Sequence, residues 1–475
     1  MQQEIRAKIC NFTVKLVKKG NVRNNSSLIF TQSGESPSLF PYFFKNVGGA
    51  FLYSPIFSKT LEVNMKNKQL KTIFHMDDSL VDLVYNDRFN NPYSIKLGIH
   101  TKKTAAGHSY EMFTCLTSEM MLLSQKISSL TLKLERVINP IPPIAVKQFF
   151  TACLRDEIKA TNDIEGIHST RKEIDHALDQ QFNPEERKNT RLWGIVNKYQ
   201  KLITQENIAF KTCKDLRRFY DDFALDEVIK ADPDNAPDGI YFRQRSVSVS
   251  DGLKDIHTGL YPETEIISAM TAALNILNNE EIPLLIRISL YHYLFGFIHP
   301  FYDGNGRTSR FITSYYLARS NSPLLAIRLS VTIKRAKRFY YKLFDDANQL
   351  LNRGELTYFI LGFLVIFERS LTETIEILER KANQFYHYQK LLSERNDKKQ
   401  DKKIYNVLLQ AALFSDGLGA TVKEIAETLG KHENTVQKNL QRLQEESDYI
   451  IVHRSHRAYR YELNLQKFFS SAKKE

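Results

Sequence analysis

Ile298-His-Pro-Phe-Tyr-Asp-Gly-Asn-Gly-Arg-Thr-Ser-Arg310 is the stretch on which the reading of this chain turns. The apolar run before it, PLLIRISLYHYLFGFI, is helical and ends at Ile298; helical periodicity resumes in RTSRFITSYYLA. Gly304 and Gly306 flank Asn305, so the backbone between the two helices can approach a ligand with no Cβ in the way. A glycine turn that opens a helix offers free N–H groups and the positive end of the helix dipole, a setting that favours phosphate. Arg307 and Arg310 share one face of the first turns, with Thr308 and Ser309 between them. Two guanidinium forks beside such a nest suit a polyphosphate. Asp303 sits just before the nest, where a carboxylate beside phosphate oxygens holds Mg2+. His299 stands at the rim, placed as a base for an incoming hydroxyl. Phosphate cradle, metal ligand and base together suit transfer of a phosphorus centre.

Working outward, the 475 residues allow two to four domains, and an apolar content of 42% supplies more than one core. The formal net charge of +12 is compatible with anionic partners, nucleotide or nucleic acid, and equally with solubility alone. Cys10, Cys115, Cys153 and Cys213 lie far apart and show no zinc spacing, which predicts a reduced, cytoplasmic protein. The N-terminus has no signal-peptide core, and the most apolar stretch, Tyr358 to Phe367, is short enough to read as a buried helix; no membrane partner is expected.

Residues 1–120 mix β-type runs (SLIFTQ, AFLYSPIF, LKTIFHM) with turns and read as an α/β or mostly β module of unclear fold. Residues 121–390 are helical in pattern, interrupted where Tyr241 to Val249 alternates and predicts a hairpin. The polar run 391–403, centred on SERNDKKQDKK, reads as a linker or an exposed helix end. Within 404–466, a helix from Ile404 to Phe414, a second from Thr421 to a stop at Gly430, a third from His432 to Glu446 and two strands around HRSHR give the pattern of a winged helix-turn-helix. Lys438, Arg442, His453, Arg454, His456 and Arg457 are its candidate DNA contacts.

The stretch 298–310 resembles the Fic family signature, H-P-F-x-[DE]-G-N-G-R-x-x-R, at every fixed position. The resemblance covers roughly residues 120–465 and implies a mainly α fold: a Fic-type helical bundle with a β-hairpin flap, an N-terminal α/β extension and a C-terminal winged helix-turn-helix. It implies an adenylyltransferase that moves AMP from ATP, with Mg2+, to a Ser, Thr or Tyr hydroxyl of a target protein. His299 is then the general base, Asp303 the Mg2+ ligand and Phe301 a packing residue. Gly304, Asn305 and Gly306 form the anion hole, and Arg307 and Arg310 hold the β- and γ-phosphates. Gly at 306, where a phosphorylating relative carries Lys, favours AMP transfer. Tyr340, Tyr341 and Asn348 resemble nucleoside-side contacts, and the hairpin from Gly239 to about Thr258 resembles the flap, with Lys254, Asp255, Ile256 and His257 as its contacts.

A second motif, Thr161-Asn-Asp-Ile-Glu165-Gly166, fits the family's inhibitory pattern, on a helix spanning about 154–166. Glu165 is expected to pair bidentately with Arg310 and deny it to the γ-phosphate. Related arrangements leave room for the reverse reaction, for transfer of another phosphate-bearing group, for a DNA-binding regulator whose Fic domain senses nucleotide, and for a homodimer.

Overall fold

Residues 68–475, less 105–106, 179–189, 251–254, 321–322, 455–458 and 471–475, are described in the computed structural model. Two short helices, α1 (Leu70–Met76) and α2 (Val81–Phe89), precede an antiparallel hairpin of β1 (Ser94–His100) and β2 (Glu111–Cys115). The run LKTIFHM, expected as a strand, is α1: its 3–4 spacing buries Leu70, and Lys71 is held by the side chains of Asn352 and Asp346. The runs SLIFTQ and AFLYSPIF lie outside the described residues.

Helix α3 (Ser118–Ile138) is started by Thr117, whose side chain accepts from Met120 N, and buries Met120, Ile127, Thr131 and Leu134 along one stripe. Helix α4 (Pro143–Ile164) opens on proline; Glu165 caps it, and Gly166 follows at φ 73°, a left-handed stop. There follow α5 (Arg171–Leu178), α6 (Trp193–Ile203), α7 (Cys213–Tyr220) and α8 (Asp226–Ala231). Then come a hairpin of β3 (Ser248–Ser250) and β4 (Asp255–Thr258), and α9 (Glu263–Asn278).

The central helix α10 (Leu284–Ile298) is apolar on all sides and almost wholly buried, as a helix inside a bundle must be. It leads through the signature turn to α11 (Asn305–Ser320), then α12 (Leu329–Arg335), α13 (Lys337–Asn348) and the 38-residue α14 (Thr357–Glu394). The segment Tyr358 to Phe367 is the buried first part of α14. No helix among the described residues is long and apolar enough to cross a membrane.

The hairpin is shorter than its alternation predicts. Residues 241–247 are loop because the N–H groups of Ile240, Tyr241 and Phe242 bond to the Glu263 carboxylate (2.8–3.0 Å) instead of a neighbouring strand. The polar run is mostly helix ends, with residues 395–398 between them: α15 (Lys399–Phe414) starts at Lys399, Asp401 is buried against Arg442, and Lys402 Nζ reaches the Ser393 carbonyl at 2.8 Å.

Beyond α15 lie β5 (Ala420–Thr421), α16 (Val422–Leu429), α17 (Glu433–Glu446), β6 (Ile450–Arg454) and β7 (Tyr459–Leu463), with sheet order β5-β7-β6. Thr421 and Glu424 form a reciprocal capping box, and Gly430 ends α16 at φ 62°. These helices and the three-stranded sheet form a C-terminal helix-and-sheet extension. His456 and Arg457 lie outside the described residues. Helix α15 packs on both α14 and α4, so residues 68–475 form one compact unit.

Candidate functional site

Helix α10 stops at His299, which takes a left-handed backbone (φ 53°, ψ 63°) ahead of Pro300. The turn that follows is pinned from within. Asn305 Oδ1 accepts from Phe301 N (3.0 Å), and its Nδ2 donates to Phe301 O (2.8 Å). Phe301 stacks on Tyr220, whose hydroxyl donates to Asp303 O at 3.0 Å. Gly304 sits at φ 77°, a conformation L side chains avoid, and is closely bounded by Tyr220 and Ala224. Thr308 Oγ1 donates back to Gly304 O, and Ser309 Oγ meets His292 Nδ1. Thr308 and Ser309 thus turn their side chains into the core, and Thr308 N bonds to Gly304 O at 3.0 Å; the N–H groups that open the helix without an intrahelical acceptor are those of Asn305, Gly306 and Arg307.

Arg307 and Arg310 are both buried, and each is held by a carboxylate. Arg310 Nη1 meets Glu165 Oε1 at 2.7 Å; its Nε and Nη2 donate to Thr161 Oγ1 and O at 2.9 and 3.0 Å. The fork is therefore divided between Glu165 and Thr161, one turn apart on the end of α4, and the expected bidentate pair is instead a single contact. Burial pulls the Arg310 pKa down, but Glu165 and the neighbouring Tyr340 leave it raised. The Glu165 carboxylate lies over the nest: a Cβ on Gly306 would stand 2.2 Å from its Oε1. The two glycines have separate reasons, Gly304 for its backbone angle and Gly306 for the space that Glu165 occupies.

Arg307 Nη1 is bonded to Glu227 on α8, while its Nε is buried without a partner. Glu227 is flanked at 3.9 Å by Arg191, which in turn donates to Glu173 (2.6 Å) and to the His168 carbonyl (2.6 Å). Behind Arg310 lies Glu157, fully buried and accepting from the N–H groups of Ser330 (2.8 Å) and Val331 (3.3 Å). Burial pushes its carboxyl up to about 7.

The surroundings of His299 hold its imidazole neutral. Burial first, then His257 and Arg243, pull its pKa down to about 4, while Glu165 and the Gly296 carbonyl act the other way. His257, expected as a flap contact, turns inward: its Nε2 lies 2.7 Å from Phe297 O, and burial lowers its pKa to about 4. It fastens β4 to α10 because its register in the hairpin faces the bundle. Asp255 and Ile256 lie on the same strand, and Lys254 lies outside the described residues.

Of the nucleoside-side residues, Tyr340 is in the core, its hydroxyl 2.8 Å from His292 Nε2. Tyr341 is exposed at the rim near Glu165 and Arg310, and Asn348 Oδ1 accepts from Tyr293. His292 is a satisfied core residue, bonded to Thr313, Ser309 and Tyr340. Asp303 is partly exposed, with Oδ1 on its neighbour Gly304 N. No group of three or more His, Cys, Asp or Glu among the described residues stands ready for a metal. One carboxylate beside a phosphate nest fits Mg2+ that arrives with a nucleotide, since that ion keeps water and phosphate ligands.

Sequence reading missed Glu157, Arg191, Glu227 and Arg243. Glu157, Glu227 and Arg243 each act on a motif residue from more than 50 positions away, Arg191 acts on Glu227, and no local pattern marks any of them.

Among solved structures, a Fic family protein from Desulfovibrio desulfuricans is 20% identical, covering 74% of this chain and 97% of that one with a TM-score of 0.44. A Fic domain containing signaling protein from Bacteroides thetaiotaomicron is 19% identical over 55% of this chain and 97% of its own (TM-score 0.36). Fic-1 from C. elegans is 18% identical over 54% and 72% (TM-score 0.36). Residues 216–317, from α7 through the signature turn into α11, match the Fic/DOC family profile. The chain therefore carries, over those residues, a domain of the Fic/DOC family.

Proposed function

We propose that this chain is an autoinhibited protein adenylyltransferase. The observation that carries the reading is the pairing of Arg310 with Glu165 directly above Gly306. A carboxylate here occupies the place where a nucleotide's phosphate tail would meet the helix start, and it engages the arginine that tail needs.

With Glu165 withdrawn, the first-turn N–H groups of α11 and the two guanidinium groups form a cradle for a triphosphate. Asp303 would hold Mg2+, which supplies charge neutralisation at the phosphates when bound. His299, neutral at physiological pH, takes the proton from a target hydroxyl. The hydroxyl oxygen bonds to the α-phosphorus, the bond from that phosphorus to the bridging oxygen of the β-phosphate breaks, and pyrophosphate leaves with the electron pair. Arg307 and Arg310 stabilise the charge that develops on it. A neutral base with a low pKa favours the correct protonation state over proton affinity, and burial is the cause of that choice.

The test is labelling with [α-32P]ATP. Glu165→Gly is expected to raise transfer to protein by at least tenfold, about 1.4 kcal/mol of released inhibition, and His299→Ala in that background to abolish it. Equal labelling by Glu165→Gly and wild type would sink the autoinhibition. Label retained by the His299→Ala double variant would sink the mechanism.

A further inference from the structure

Arg243 is among the largest fully buried side chains, and no carboxylate of the described residues pairs with it. Its cation is spread over backbone carbonyls. Nε donates to His299 O at 2.9 Å, Nη2 to Leu260 O at 2.8 Å and Nη1 to Arg245 O. Its own N–H bonds to Pro300 O at 3.2 Å. Those acceptors belong to three different pieces of chain: the turn that carries His299, the segment leaving β4, and the loop entering β3. Glycine at 259 is required by this arrangement, since a Cβ there would lie 2.3 Å from Arg243 Nη2 and 2.9 Å from His299 Cβ.

A buried guanidinium with carbonyl partners and no counter-ion is costly, and a neutral side chain would fill the same volume at lower cost. Its three-pronged geometry explains why an arginine stands here: five donors in a rigid plane reach three carbonyls at once, which an ammonium on a flexible stem does not. One of the three is the carbonyl of a residue in left-handed backbone, a conformation that L-residues hold only when their surroundings impose it.

We propose that Arg243 is the positioning residue of the site: it sets the His299 imidazole and ties the two roots of the β3–β4 hairpin to it, so that base and hairpin keep one geometry. The proposal rests on the reading of His299 as the base. Arg243 also places a fixed positive charge near the imidazole. The other ionisable groups acting on His299 are His257 from β4 and Glu165 from the end of α4.

The test separates charge from geometry and needs no identified target. The His299 ring is titrated by NMR in wild type, Arg243→Met and Arg243→Lys, and ATP affinity and transfer are measured for the same substitutions with Glu165→Gly. Removing the cation favours imidazolium, so Arg243→Met is expected to raise the His299 pKa by about one unit. It is also expected to lower kcat by 10- to 100-fold, with ATP affinity unchanged. Arg243→Lys is expected to keep the low pKa yet lose much of the rate, because it restores the charge and not the three contacts. If Arg243→Met does not fold, the lysine variant decides: full activity there overturns the proposal. An unchanged His299 pKa and pH–rate profile in a folded Arg243→Met also overturns it. Absence of transfer in the Glu165→Gly parent counts against the adenylyltransfer reading instead, and the titration still reports on Arg243.

Discussion

At the scale of single residues, carboxylates hold the two arginines that the proposed function assigns to phosphate. Gly306 shows how tightly the site is drawn, because the missing Cβ is where the Glu165 carboxylate sits. Gly306→Ala is therefore expected to clash with Glu165 and loosen the Glu165–Arg310 pair. In a double-mutant cycle the two substitutions should couple: Gly306→Ala destabilises the wild type more than it destabilises Glu165→Gly, by about 0.5–3 kcal/mol in urea melts. Additive effects would mean that Glu165 does not occupy the nest in solution. His299 gives a second prediction, from linkage. Its folded pKa, about 4, lies below the ordinary histidine value of 6.5. The stability associated with the neutral imidazole is complete above 6.5 and is lost as pH falls toward 4. Wild type should therefore lose stability relative to His299→Ala across that window, by at most about 1.4 kcal/mol per pH unit. A constant difference from pH 7 to pH 4 would show that His299 is freely solvated.

At the scale of elements, α4 serves two masters. Its C-terminal end presents Thr161 and Glu165 to Arg310, while its middle is clamped to the C-terminal module. There Arg155 donates to Asp416 O at 2.9 Å and lies near Asp416 Oδ2 (3.3 Å) and Asp175 (3.5 Å). Arg155→Met removes that clamp and leaves Asp175, whose pKa burial already raises, without its closest cation. A loss of about 1.5–3 kcal/mol is expected in urea melts. A rise in basal transfer should accompany it if the clamp holds α4 in its inhibitory position; a stability loss with unchanged basal transfer would confine Arg155 to packing. The sequence reveals such elements unevenly. The turn 298–310 is legible because glycines, arginines, acid and base fall within 13 residues, and the capping box at Thr421 is equally local. The hairpin is misjudged because a side chain far along the chain, Glu263, takes the N–H groups that alternation assigns to a strand. The helix α1 is misjudged because seven residues with four large apolar ones fit either period. Arg243 and Glu227 are illegible in principle, since what defines them is a partner 56 or 80 residues away.

At the scale of residues 68–475, the C-terminal helix-and-sheet module is built into the helical body. Helix α14 runs unbroken to Glu394, residues 395–398 separate it from α15, and α15 turns back against both α14 and α4. Buried residues of α15, among them Ile404, Leu408 and Phe414, join the same hydrophobic cluster as α10 and α14. Arg442, expected as a DNA contact, pairs with Asp401 and with Glu446 (2.7 Å), while Lys438 on the same helix is exposed. A module joined by a flexible linker would melt by itself, as weakly coupled domains do. Here a shared core and the Arg155 clamp tie its unfolding to that of the bundle, because opening it would expose the apolar faces of α4 and α14. Calorimetry should therefore show no separate transition for residues 399–470, and truncation after Glu394 should lower the melting temperature of the remainder rather than leave it unchanged. An independent low-temperature transition that vanishes on truncation, with the main peak unmoved, would mean that the module is only tethered. The clamp on α4 would then carry no signal from the C-terminal module to Glu165.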